Sequence, residues 1–164
     1  MQSWDTASKF TELADYSVCS TWLVKGKDYY LVDVLREKLG YPDLKRRVIS
    51  QALEYNADTV LIEDKGSGTP LIQDLCVDGT QGVPYPIGVT PEQDKITRMS
   101  STSSKIEARH VHLPANADWL DDFHAELMQF PNGRHDDQVD SLSQFLRWIE
   151  SRPGNEWLVE ELLL

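Results

Sequence analysis

A mixed α/β domain, with a central β-sheet and helices on both faces, is what this sequence predicts, and three observations lead there. Three β-rich runs open the chain. A short, wholly apolar run follows a helical pattern in mid-chain, and the closing third carries apolar residues at helical spacing. The 164 residues, 40% hydrophobic and 26% charged, suit one domain that buries roughly 70% of its unfolded surface, and they exclude wholesale disorder, collagen-like sequence and a disulfide scaffold.

The elements follow in order. Trp4 to Thr6 forms a first strand. Tyr16 to Val24 and Asp28 to Leu35, rich in β-branched and aromatic residues, flank a glycine turn at Gly26 and form two more. Pro42 suits a first helical turn, and Leu44, Val48, Ala52 and Tyr55 recur at helical spacing, so a helix runs from about Pro42 to Tyr55. Thr59 to Ile62 is the run of a strand buried on both faces, and it stops at Glu63 and Asp64. A turn from Lys65 to Pro70 leads to a helix from Leu71 to about Cys76. Tyr85 to Val89 is a fifth strand, Pro91 to Ser104 an exposed helix or loop, and Arg109 to Leu113 a short strand. Trp119, Phe123 and Leu127 mark the apolar face of another helix. After the stop at Phe130 to Gly133, the last helix buries Val139, Leu142, Leu146 and Ile149. Residues 1–150 form the domain, and 151–164 an acidic, leucine-rich tail.

Sixteen basic residues against 27 acidic give a net charge of −11, which argues against sequence-blind coating of nucleic acid. A nucleic-acid enzyme is not excluded, because carboxylates gathered to hold divalent cations add negative charge where a phosphate must bind. Cys19 and Cys76 lie in apolar runs without metal-type spacing and read as reduced core thiols of an intracellular protein. No apolar run approaches the roughly 18 residues of a membrane span, so the expected protein is soluble, with no membrane partner.

Four acids stand out by placement. Asp5 sits in the first strand, Glu63 at the exit of the buried strand, and Asp137 and Asp140 at the start of the last helix. Adjacent strands lie about 4.8 Å apart, so Asp5 and Glu63 could share an ion if their strands pair. The i, i+3 spacing puts Asp137 and Asp140 on one side of their helix. Such a cluster repels itself unless a cation relieves it. Oxygen-only ligands suit Mg²⁺ or Mn²⁺, and a pair of such ions about 3.5–4 Å apart serves phosphodiester hydrolysis.

Each piece has a plainer reading. Asp5 alone is a surface acid, Glu63 and Asp64 fit turn chemistry, and Asp136 with Asp137 fit helix capping. Gly66 to Gly68 lacks the ending of a phosphate-binding loop, His110 and His112 lack further zinc ligands, and Lys45 to Arg47 fit a solvated helix face.

Three blocks carry a family resemblance: Ser3-Trp4-Asp5-Thr6-Ala7, then Leu61 to Gly68 (LIEDKGSG), then Phe130 to Leu142 (FPNGRHDDQVDSL). Lys95 to Arg98 (KITR) and His112 to Pro114 (HLP) before Trp119 agree with them. Together they resemble the C-terminal nuclease domain of the large terminase subunit of tailed bacteriophages, over about Trp4 to Ile149. The resemblance implies a ribonuclease H-like fold and a Mg²⁺- or Mn²⁺-dependent endonuclease that cuts concatemeric viral DNA during packaging in the cytoplasm of an infected bacterial host. It gives Asp5, Glu63 and Asp137 as catalytic metal ligands, with Asp140 beside them and Asp64, His135 and Asp136 as helpers. Other members carry Asp at the second position, so Asp64 stays an alternative to Glu63.

The implied partners are double-stranded DNA, a packaging ATPase domain, the small terminase subunit and the portal protein. No Walker motif is present, so the ATPase would precede residue 1 and this chain would be an excised part. Lys65, Lys95, Arg98, Lys105 and Arg134 are the candidate DNA contacts, since they flank the acids in sequence or follow the strand leading from them. Two other classes compete: a Holliday-junction resolvase or transposase-like nuclease of the same fold, and a non-catalytic acidic docking module.

Overall fold

The computed structural model of the chain describes residues 1–7 and 15–152. The tail expected after Ser151 lies, from residue 153 on, outside the described residues. Six strands form one sheet: β1 (Gln2–Asp5), β2 (Ser17–Lys25), β3 (Asp28–Glu37), β4 (Val60–Glu63), β5 (Ile87–Val89) and β6 (Val111–His112), in the order β5-β4-β1-β2-β3-β6. β1, β2 and β3 pair antiparallel, while β4 joins β1, β5 joins β4 and β6 joins β3 in parallel. Five helices complete the fold: α1 (Tyr41–Glu54), α2 (Gly68–Asp78), α3 (Lys95–Glu107), α4 (Leu120–Gln129) and α5 (Asp137–Ser151). The mixed sheet with helices on both faces is the fold class that the sequence predicts.

Alternation along the strands builds two cores. Trp4, Val60 and Ile62 turn to one face and pack with Leu44, Val48 and Ala52 of α1 and Leu71 and Leu75 of α2. On the other face Val18, Trp22, Tyr29 and Leu31 meet Phe123 of α4 and Leu142, Phe145 and Leu146 of α5, with the Trp22 and Phe145 rings stacked 4.4 Å apart. On this second face a small-residue seam lets α5 approach β1 and β2 closely. Ser141 Oγ donates to the Ser3 carbonyl at 2.8 Å and lies 2.6 Å from Ser20 Oγ, while Ser3 Oγ donates to the Ser141 carbonyl at 2.9 Å. Every buried hydroxyl on this seam is paired, so α5 meets the strands here through hydrogen bonds as well as through its apolar residues.

The expected elements differ from the observed ones in ways that local chemistry explains. β5 starts at Ile87, because Pro84 and Pro86 cannot donate to a ladder. α2 begins at Gly68 and runs to Asp78, where Gly79 in the left-handed region (φ 58°) ends it. The segment read as exposed helix or loop is α3, whose N-cap Asp94 accepts from Thr97 N–H and whose Arg98 and Thr102 are buried. Arg109 at φ 61° ends the approach from α3, so β6 has only two residues. Cys19 is buried as expected, but Cys76 is exposed, because it lies off the α2 face defined by Gly68, Leu71 and Leu75.

Candidate active site

The parallel register of β1 and β4 places Ser3 opposite Leu61 and Trp4 opposite Ile62, so Asp5 follows beside Glu63. Asp5 shares the face of Ser3, which is the face that α5 covers, and α5 brings Asp140 and Asp137 to the same place. Asp5, Glu63 and Asp140 line two adjoining cavities, one of about 280 Å³ toward β5 and the far end of α5, the other of about 240 Å³ toward α3 and the loop before α5. Asp137 opens onto the second of these.

Local structure holds each acid in place. Ser67 Oγ donates to the Ala7 carbonyl and lies 2.8 Å from Thr6 Oγ1, which ties the exit of β1 to the turn after β4. Gly68 packs so tightly under that turn that a Cβ there would fall 1.9 Å from the Glu63 carbonyl oxygen. The start of α5 is capped from another helix. Glu126 of α4 is buried, and its Oε1 accepts from the N–H groups of Gln138 at 2.6 Å and Val139 at 3.2 Å, while Oε2 accepts from Gln138 Nε2 at 2.6 Å. Asp136 occupies the N-cap position but makes no capping bond. The capping reading of Asp136 is therefore replaced by Glu126, whose sequence position inside an amphipathic helix carries no signal of this role.

Charge inside the site is unbalanced toward the acids. Burial, then Glu63, Asp140 and Asp137, push the Asp5 carboxyl well above the usual range, with Lys95 opposing. Burial, then Glu126, Asp136 and Asp15, raise Asp137 to about 7. Asp137 Oδ2 is buried without a hydrogen-bond partner among the described residues. The counter-charge within the protein comes from α3. Lys95 Nζ lies 2.7 Å from Asp136 and 2.8 Å from Asp140, and Arg98 lies 2.9 Å from Asp140 and 3.6 Å from Glu63.

The remaining candidates separate by position. Glu63 lines both cavities, whereas Asp64 lines neither; its exposed carboxylate accepts from Thr69 Oγ1 at 2.7 Å. His135 lines the second cavity with its ring edge-on to Tyr16 at 5.4 Å. Lys65 and Arg134 also line it. Lys105 does not: it lies near the C-terminal end of α3, 5.7 Å from the Tyr29 ring centroid. His110 and His112 gather on Asp28, with His112 Nε2 2.9 Å from Oδ1. Besides Glu126, the burial of Arg98 against the acids carries no sequence signal, whereas the continuation of the α5 stripe past Asp140 through Gln144 escapes the sequence reading although its helical spacing could show it.

The donor set fits a hard divalent cation in chemistry. It is all oxygen, it includes the unpartnered buried Asp137 Oδ2, and burial and then the neighbouring acids hold the Asp5 and Asp137 carboxyls above their usual range. Among the described residues, no three His, Cys, Asp or Glu side chains are gathered tightly enough to surround an ion as they stand. Lys95 and Arg98 hold Asp140 and Glu63 instead.

Comparison with known proteins adds to this geometry. The structure of the large terminase from a thermophilic bacteriophage is similar, with a TM-score of 0.65 and 10% sequence identity over 91% of this chain and 39% of that one. At that identity the likeness is one of fold. The chain spans about two-fifths of the length of that terminase. No curated protein sequence matches the chain. A family model described as the terminase RNaseH-like domain matches residues 2–147, which is nearly all of the described fold, and the chain belongs to that family.

Proposed function

We propose that this chain is the nuclease domain of a phage packaging terminase, a divalent-cation-dependent endonuclease that cuts concatemeric double-stranded DNA in the cytoplasm of an infected host. The observation that carries the reading is the β1 and β4 register that sets Asp5 beside Glu63, under the start of α5 with Asp137 and Asp140. Asp5, Glu63 and Asp137 would hold Mg²⁺ or Mn²⁺, as a pair of ions, with Asp140 at their side. Bound there, the cations would supply Lewis acidity and lower the pKa of a water, which is the chemistry phosphodiester hydrolysis needs.

The chain's own residues supply position and charge. The Ser3, Ser20 and Ser141 seam fixes α5 against the sheet, so the acids enter at set orientation. Lys65 and Arg134 at the rim have no carboxylate partner among the described residues and would meet DNA phosphates. Lys95 and Arg98 balance the acids, a task that a bound cation would share. A packaging ATPase, with the small subunit and the portal, would bring the duplex, so an acidic domain need not grip DNA tightly by itself.

Incubating supercoiled plasmid with the full chain and Mn²⁺, Mg²⁺ or chelator tests the reading. Nicked and linear products with either cation and none with chelator are expected. Intact plasmid under all three conditions would overturn it, and cutting confined to branched DNA would move it to a resolvase.

A further inference from the structure

The polar stripe of α5 does not stop at the acids. Asp140, Gln144, Arg147, Trp148 and Ser151 recur at helical spacing and line the 280 Å³ cavity. Gln144 is committed to the sheet, its Nε2 donating to Ser3 Oγ at 3.0 Å and to the Trp4 carbonyl at 3.1 Å. Arg147 is not. It has no hydrogen-bond or ion-pair partner among the described residues, in contrast to Lys95 and Arg98, which carboxylates already neutralise. Trp148 beside it is partly buried, with the Arg152 guanidinium 3.8 Å from its ring centroid.

The two cavities share the wall formed by Asp5, Glu63, Arg98 and Asp140. On the nuclease reading, which this inference rests on, the phosphate to be cut sits at that wall, and the strand leaves it in both directions. Each direction needs cationic groups that the protein has not already used. Toward the second cavity these are Lys65 and Arg134. Toward the first, Arg147 supplies one; the exposed Glu92, on the loop after β5, opposes it. We infer that Arg147 binds a DNA phosphate on the side of the cut opposite Lys65 and Arg134.

Helix geometry sets the spacing. Arg147 lies seven residues beyond Asp140, about 10.5 Å along the axis and on nearly the same side of the helix. Arg147 is therefore displaced along α5 from the acids, and its contact falls on a phosphate other than the one to be cut. Val89, Pro91 and the Trp148 ring make the adjoining wall apolar, and a charge-assisted bond to phosphate gains strength where water is thinned.

Steady-state plasmid cleavage with Mn²⁺ across a salt series tests this, using the full chain and its R147A, R147Q and R147K variants. R147A and R147Q should raise KM severalfold with kcat near wild type, and should flatten the log–log salt dependence of kcat/KM by about 0.9, the loss of one phosphate contact. R147K, which keeps the charge, should restore the salt slope. R147Q preserves most of the packing of the stem, so a loss in R147A alone would mark a structural effect and overturn the inference. Wild-type KM and salt slope in R147Q would overturn it too, while leaving the nuclease reading intact. A wild-type chain that does not cut at all would defeat the nuclease reading and the inference with it.

Discussion

The guanidinium of Arg98, buried on α3, lies 2.9 Å from the carboxylate of Asp140 on α5 and reaches to 3.6 Å from Glu63 on β4. Three elements far apart in sequence are thus joined through one cation at the place where the acids converge. Removing one partner of a buried pair leaves an uncompensated charge, which costs about 3–5 kcal/mol. Arg98→Ala should lose stability on that scale in chelator, measured by urea unfolding, and Mn²⁺ should restore more stability to the variant than it adds to the wild type. A loss below about 1 kcal/mol would mean that solvent already screens the pair.

Glu126 should matter more to α5 than Asp136 does. Glu126→Ala leaves the Gln138 and Val139 N–H groups at the buried helix start without their acceptor and should cost about 1–3 kcal/mol. Asp136→Ala removes only a partly exposed partner of Lys95 and should cost under about 1 kcal/mol. Equal losses in the two unfolding curves would return the capping role to Asp136.

Gly68→Ala should disrupt the site from beneath. Its Cβ would collide with the Glu63 carbonyl, so β4 and α2 must separate and Glu63 must move. A loss of more than about 2 kcal/mol, with cleavage abolished, is expected from such overpacking. Gly40→Ala, at the N-cap of α1 where a Cβ meets nothing within 4 Å, provides the comparison and should cost at most about 1 kcal/mol with cleavage kept.

The raised Asp137 carboxyl sets a pH dependence with a definite sign. Its pKa is about 7 in the fold against 3.8 unfolded, so between those values the native state holds a proton that the unfolded chain has lost. Stability from this group is therefore full below about pH 4 and falls as pH rises toward 7. In chelator, the wild type should match Asp137→Asn near pH 4 and fall behind it by pH 8, by more than about 1 kcal/mol after allowing for solvent at a partly open site. Parallel urea midpoints for the two proteins across that range would refute the shift.

Much of this arrangement is legible in the sequence, for physical reasons. The apolar run ending in Glu63 announces a buried strand with a carboxylate at its exit, and the stripe of Val139, Leu142 and Leu146 fixes which side of α5 faces away from Asp137. The choice between Glu63 and Asp64 is not legible, because both fit a turn; strand alternation and the Thr69 hydroxyl separate them only in three dimensions. Nor is the task of Arg98, since α3 is amphipathic in a weakly apolar way and its docking on α5 depends on contacts some forty residues away in the chain. The placement of Lys105 is not legible either: it is a candidate by proximity in sequence, and a helix 13 residues long sets it near the Tyr29 ring, outside the two cavities.

Titration of Mn²⁺ into the metal-free chain, followed calorimetrically for the wild type and for Asp5→Asn, tests the central claim most directly. Asp5 lies between Glu63, Asp137 and Asp140 and belongs to no ion pair among the described residues, so its loss removes a ligand without breaking the Lys95 and Arg98 contacts. Saturable Mn²⁺ binding by the wild type, weakened at least about tenfold in Asp5→Asn, is the predicted result. Wild-type binding that Asp5→Asn leaves unchanged, or no binding by either protein, would contradict it.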